Sequence, residues 1–458
     1  MTSVSRSFMA RPRLLPLAGP LFAELLLGIA VGVLGTVLAA RLGDRHGAAF
    51  ALANQVLAML FIFFRIVGAG VGVVVSQALG GRRRDEADRV ARATLGAATW
   101  IGGLGALGAL LGAGPLLRLM NAPPEVLPLA TVFLQTLAPA VLLDAWNATL
   151  ASVLRSHLQA RPTLRVIVAT QLLHLGLAWP AMSDASWGWG LGLPGFALAL
   201  LASRVLGVLL LGQLWRQRLG LHTVASDWWC LPRRTLAPVL HIGLPGAAEN
   251  IAWRLAFMVS VAVVGGMGTA AVATQAYTMQ VMHLLLLTGL ATGLSAEIVV
   301  GHLVGAGRLH EAHRLVRRAM GVGLLVSGGL ALLAALAGPR LLGLFTDDAA
   351  IVAAGATLLW LTPLLETGRT FNLVLVNALR AAGDARYPVL AGAASFALVL
   401  AGGSWLLGSQ LGLGLAGVWV AYAADEWIRG LLMWRRWAGQ GWVPHARQAH
   451  RRLRLARQ

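Results

Sequence analysis

The sequence predicts an all-α polytopic membrane protein, with twelve transmembrane helices in two six-helix bundles related by a parallel internal repeat. Three observations carry that expectation. The chain is 57% apolar and only 12% charged, with a mean hydropathy of +0.73. That is too apolar for a soluble globule of 458 residues. Apolar runs long enough to cross a bilayer, 18 residues or more, recur along the whole chain. And the stretch ALGGRRRDEADRVAR, Ala78 to Arg92, returns 225 residues later as LVGAGRLHEAHRLVR, Leu303 to Arg317. Gly80, Arg83, Glu86, Arg89 and Arg92 meet Gly305, Arg308, Glu311, Arg314 and Arg317.

In chain order, the spans fall near 14–40, 48–76, 93–113, 125–151, 163–183 and 195–215 in the first half. Those of the second half fall near 238–264, 270–300, 319–338, 349–377, 388–408 and 412–434. The first run follows Arg6, Arg11 and Arg13 but is too long for the apolar core of a signal peptide, so it stays as a helix. Each span is expected to be helical, because backbone groups in lipid must find partners within their own segment. The organisation read from this is a bundle over 1–217, a cytoplasmic linker over 218–236, a second bundle over 237–436 and a basic cytoplasmic tail over 437–458. Six spans per repeat give the two halves the same orientation, as expected of repeats related by an axis along the membrane normal.

The net charge of +19 comes entirely from arginine, since the chain has no lysine. It is concentrated in the tails and in the loops after even-numbered spans, 80–92, 155–165, 216–234, 305–318 and 380–386. The opposite loops hold only Arg41, Arg45, Arg118 and Arg340. This asymmetry marks the arginine-rich side as cytoplasmic and puts both termini there, in the inner membrane of a bacterium. It also argues against nucleic acid as the partner of the basic charge. The single Cys230 gives neither a disulfide framework nor a metal site. Without lysine there is no Walker A motif, and Gly-x-Ser-x-Gly and His-Glu-x-x-His are missing too. An enzyme is therefore a distant alternative.

The 225-residue offset extends beyond the basic turn. Pro20, Glu24, Gly43, Gln55 and Gly68 meet Pro245, Glu249, Gly268, Gln280 and Gly293. Asn147, Leu154 and Arg155 meet Asn372, Leu379 and Arg380. Pro20-Leu-Phe-Ala-Glu24, Pro245-Gly-Ala-Ala-Glu249, Gly268 to Gln275, the Gly305-Ala-Gly307 turn and Leu379-Arg380-Ala-Ala-Gly383-Asp384 stand in an order that resembles the multidrug and toxic compound extrusion (MATE) transporters over nearly the whole chain. The resemblance implies an antiporter that extrudes organic, cationic amphipathic compounds in exchange for H⁺ or Na⁺, working as a monomer with no further cofactor. The chain departs from the family pattern at Gly35, where such proteins commonly carry a first-helix aspartate; the second-half equivalent is Ser260. It also reads Ser156-His157-Leu158 where glycines are expected after Arg155.

A carboxylate inside the membrane is costly when ionised, so it can take up a proton near neutral pH or hold a cation. Competition for one such group is the simplest exchange mechanism. The candidates are Glu249, Glu24, Glu297 and Asp144, whereas Asp184 and the Asp425-Glu426 pair sit nearer span ends. Glu366 lies three residues from Arg369 and reads as its structural partner. Asp144 matches Arg369 across the repeat, which makes a pair between the bundles an open alternative. Candidate cavity residues are Gln55, Gln275, Tyr277, Gln280, Asn147 and Asn372, with Met279 and Met282 beside them; their plainer role is contact between helices. Arg65 and Arg254 lie inside spans and would favour an anionic or zwitterionic substrate, which keeps open a flippase or exporter of a lipid-linked or anionic metabolite. Pro20 and Pro245 each remove a helix hydrogen bond and are hinge candidates.

Overall fold

The protein was analysed as a computed structural model, which describes residues 13–183 and 188–455, apart from the side chains of residues 61–67 and 69. Asp184 and the side chain of Arg65 therefore lie outside the described residues. The described chain is helical almost throughout and contains no strand. Its long helices are α1 (Leu15–Arg41), α2 (Asp44–Gly80), α3 (Arg84–Leu119), α4 (Leu127–Ser156), α5 (Ala160–Met182) and α6 (Gly192–Leu214) in the first half. The second half has α7 (Arg233–Gly265), α8 (Thr269–Gly305), α9 (Leu309–Leu336), α10 (Ala349–Ala381), α11 (Arg386–Ser395, continued through the π-helical stretches Phe396–Ala401 and Ser404–Gln410) and α12 (Gly414–Ala438). A shorter α13 (Val443–Leu455) closes the chain.

Among the described residues, ten helices are long and apolar enough to cross a membrane. The other two of the twelve are α2, whose middle side chains are undescribed, and α12, whose buried face carries Asp425, Glu426 and Arg429. Several helices run past the expected spans. The clearest is α3, which begins at Arg84 rather than near 93, because the amphipathic basic turn continues the same helix beyond the apolar run. Pro20 and Pro245 both lie inside continuous helices, so neither breaks its helix.

The chain forms two compact units. The first comprises Ala23–Val75 and Arg84–Gly243; the second comprises Arg13–Phe22, Ser76–Arg83 and the chain from Leu244 onward. In the first unit, an apolar core gathers around Phe50, Phe133 and Phe196, whose ring centroids lie 5.1–6.1 Å apart. The connection out of α6 is packed against the unit: a 3₁₀ turn, Ala225–Trp228, lies on α3. Trp228 meets Trp146 edge to face at 4.8 Å, and Trp100 donates its indole N–H to the Trp229 carbonyl at 2.9 Å. This aromatic belt suits the membrane–water boundary, where indole rings settle.

In the second unit, the last turn of α2 crosses the last turn of α8 at repeat-equivalent glycines. A Cβ on Gly80 would strike the His302 carbonyl, and one on Gly305 would strike the Gln77 carbonyl. Only glycine permits backbones to meet this closely. Helix α13 lies over the crossing. Arg83 donates to the Leu453 carbonyl at 3.2 Å, and His450 Nδ1 bonds to the Gly305 carbonyl at 2.8 Å. Its root is fixed by Trp442, stacked on Trp437 at 4.2 Å, and by Asp384, which pairs with Arg436 at 2.8 Å.

Candidate functional site

The polar side chains inside the spans are distributed unequally between the two units. Among the described residues of the first unit, the acids inside the spans form one-to-one pairs: Glu24 on α1 with Arg155 on α4 at 2.9 Å, and Asp144 on α4 with Arg204 on α6 at 2.5 Å. Asn147, one turn beyond Asp144, donates to the Arg204 carbonyl at 3.0 Å.

The first pair repeats in the second unit, where Glu249 on α7 meets Arg380 on α10 at 2.5 Å. Both members match at the 225-residue offset. The second pair repeats with its charges exchanged. The motif Gly-Leu-Gly-Leu-x-Gly opens α6 at Gly190–Gly195 and α12 at Gly412–Gly417, so the offset in these last helices is 222 residues. Arg204 then corresponds to Glu426, while Asp144 corresponds to Arg369. Arg369 pairs with Glu426 at 3.3 Å, the same bridge with reversed polarity. These partners replace the alternative in which Asp144 and Arg369 bond between bundles; each finds its counter-charge in its own unit.

Around the reversed bridge the second unit has gained further charge. On α12, Tyr422, Asp425, Glu426 and Arg429 stand at i, i+3, i+4 and i+7, one helical face, and all four are buried. Arg429 contacts Asp425 at 2.7 Å and Glu426 at 2.8 Å, and stacks over the Phe396 ring at 4.6 Å. Ser395 donates to Asp425 at 2.6 Å and Asn372 to Glu426 at 3.0 Å. Glu366, with its side chain only 1% exposed, takes a 2.5 Å bond from Arg369. Three carboxylates thus share two guanidiniums, a formal surplus of one negative charge.

One turn away, the Tyr422 hydroxyl joins Ser260 at 2.8 Å and Gln275 at 3.0 Å, and Ser260 bonds to Ser404 at 2.9 Å. The π-helical stretches of α11 supply Ser404 and Phe396 to this site. π-helical turns of this kind concentrate at functional sites. The repeat-equivalent places in the first unit are apolar. Gly35 stands for Ser260 and Phe50 for Gln275, and a Cβ on Gly35 would lie 3.0 Å from both Phe50 and Phe196. The aromatic core occupies the space an aspartate would need there.

Of the sequence candidates, the structure gathers Gln275 and Asn372 into the second-unit site, and Asp144 with Asn147 beside Arg204. Glu24 and Glu249 are each held by an arginine. Glu297 is buried within α8. Tyr277 stacks on Phe345 at 5.6 Å, while Gln55, Gln280 and Arg254 are exposed. The sequence reading left out Tyr422, Ser395, Ser404 and Arg429 and placed Asp425-Glu426 at a span end. The spacing of Asp425, Glu426 and Arg429 was the available signal, since charges three and four residues apart share a helix face. Among the described residues no three His, Cys, Asp or Glu side chains are grouped to hold a metal ion.

An all-helical membrane protein of twelve spans in two repeated bundles, with charged side chains paired inside the spans, defines a multi-pass transporter. The MatE family model matches residues 20–179 and 245–406, one stretch in each half, and the chain belongs to that family. It is a transporter and not an enzyme. The chain is 30% identical to the uncharacterized transporter YisQ of Bacillus subtilis, with 94% of each chain covered. It is 26% identical to the probable multidrug resistance protein NorM of Chromobacterium violaceum, over 91% of each. The same fold is seen in the Vibrio cholerae MATE transporter VcmN in its bent form, with a TM-score of 0.84, 20% identity and 99% of each chain covered.

Proposed function

We propose that this chain is a secondary active exporter of organic, cationic amphipathic compounds, driven by return of a proton, with the carboxylate cluster of the second unit as its coupling site. On this reading it sits in a bacterial inner membrane with both termini cytoplasmic. The observation that carries it is the unequal count in the cluster: Glu366, Asp425 and Glu426 against Arg369 and Arg429. An uncompensated charge inside the membrane is expensive, and one monovalent cation relieves it. Glu366 is the acid we assign to the exchange. Asp425 is held by Arg429 and Ser395, and Glu426 by Arg369, Arg429 and Asn372, whereas Glu366 is held by Arg369, which it shares with Glu426. A proton on Glu366 releases Arg369 to close on Glu426 and so tightens α10 against α12. A cationic substrate competes for the same surplus charge. A proton is favoured over Na⁺ because the carboxylates already face guanidiniums, and Na⁺ needs a shell of several oxygens. The first-half places that would mirror Ser260 and Gln275, beside this centre, are filled by Gly35 and Phe50.

The test is export in proteoliposomes under an imposed H⁺ or Na⁺ gradient, with detergent melting alongside. Glu366→Gln should melt like the unaltered chain yet lose H⁺-driven export by at least about tenfold, the scale of one missing charge interaction. Glu249→Gln leaves Arg380 buried without its counter-charge and should lose about 3–5 kcal/mol of stability. Normal exchange by folded Glu366→Gln, together with lost exchange by folded Glu249→Gln, moves the coupling site to the α7 pair. Export that responds only to a Na⁺ gradient removes the proton from the proposal.

A further inference from the structure

The transport reading makes no use of α13, and its surface has a chemistry of its own. The helix contains no acidic residue and exposes Arg447, Arg451, Arg452 and Arg454. Its other face is committed: Ala446 and Leu453 are buried, His450 bonds to the Gly305 carbonyl, and Leu453 accepts from Arg83. Arg447, Arg451 and Arg454 stand at i, i+4 and i+7, a stripe beside the docked face. The arginines are therefore held as an ordered row rather than on a loose tail, which lowers the entropy lost when they bind something.

The position of the row selects its partner. Only Gly439–Trp442 separate α13 from the end of α12, and α13 is tied to the turns that end α2, α8 and, through His445 facing Asp384 at 3.8 Å, α10. The row thus lies where the helices leave the bilayer, within reach of the headgroup layer. A fixed cluster of arginines beside a membrane helix attracts anionic lipid, and the attraction fades within a Debye length. We propose that the outer face of α13 is a docking surface for anionic phospholipid headgroups. Lipid seated there would also strengthen the hold of α13 on the Gly80–Gly305 crossing beneath it. The proposal stands apart from the coupling site and from the direction of transport.

The experiment uses the full chain with Cys230→Ser and a fluorophore on Gln448→Cys, an exposed position between the arginines. The protein is reconstituted in vesicles carrying headgroup-spin-labelled phosphatidylglycerol or phosphatidylcholine. Quenching by the labelled phosphatidylglycerol should exceed that by phosphatidylcholine about fivefold. The preference should fall to parity in about 0.5 M salt, which screens exposed charge. It should also vanish in the triple variant Arg447→Gln, Arg451→Gln, Arg454→Gln and persist in the corresponding Arg→Lys triple. Equal quenching by both lipids overturns the proposal, as does a preference that survives in the Gln triple. Loss of the preference in a Lys triple that melts normally overturns it too, because headgroup attraction depends on charge and both residues supply it.

Discussion

Leu158 in the first half and Gly383 in the second end the same helix at the same repeat position, with φ of +62° and +91°. The backbone turn is therefore kept although its glycine is missing. A β-carbon in that region costs roughly 1–2 kcal/mol. Leu158→Gly should accordingly raise the melting temperature, by an amount corresponding to about 1 kcal/mol, and Gly383→Leu should lower it; a fall on Leu158→Gly would show that the leucine side chain matters more than the strain. Arg82, at φ +57° opposite Gly307 at +74°, is a second such position. Gly35 presents the converse case. Restoring an aspartate there places its Cβ against Phe50 and Phe196 and buries a charge among rings. Gly35→Asp should express poorly or melt several kcal/mol lower, the usual cost of an unpaired buried charge. Recovery of a stable, faster exporter would mean that the aromatic core can open.

At the scale of helices, the bridge between α4 and α6 and its reversed form between α10 and α12 make a matched experiment. Removing one partner, as in Asp144→Ala, leaves the partly buried Arg204 without its counter-charge and should cost up to about 3 kcal/mol, the lower end for a buried pair. The exchanged pair Asp144→Arg with Arg204→Asp should recover most of that loss, since the second unit already uses this polarity; a double variant as unstable as the single would show that neighbours such as Asn147 fix the sign. Much of this scale was legible in the sequence. Twelve spans followed from hydropathy alone, and Glu24, Arg155, Glu249 and Arg380 were visible as equivalents at the 225-residue offset. That Glu24 binds Arg155 was not visible, because depth in the membrane says nothing of which way a side chain turns about its helix. The reversed bridge was hidden for a different reason. The second half is three residues shorter before its last helix, so a fixed offset sets Arg204 opposite the wrong residue. Asp425 and Glu426 looked like a span end because charge within a run lowers its hydropathy, although they lie on the buried face of α12.

For the whole molecule, the arginine asymmetry makes a directional statement. With Cys230 replaced, Arg317→Cys should resist an impermeant thiol reagent in intact cells and Glu125→Cys should react; both positions are exposed, so access alone decides. Labelling of Arg317→Cys from outside with Glu125→Cys protected would invert the topology. The reversed bridge has a further consequence, for the ancestry of the chain. A duplicated gene begins with two interchangeable halves, and as long as each bridge closes within its own half, either copy can flip its polarity without consulting the other. Once one copy had flipped and gathered extra acids around the new sign, the other was free to fill its centre with phenylalanine. A tandem of two first halves should then still insert and fold, with Glu24 and Asp144 of each copy paired to arginine, yet have nothing to exchange.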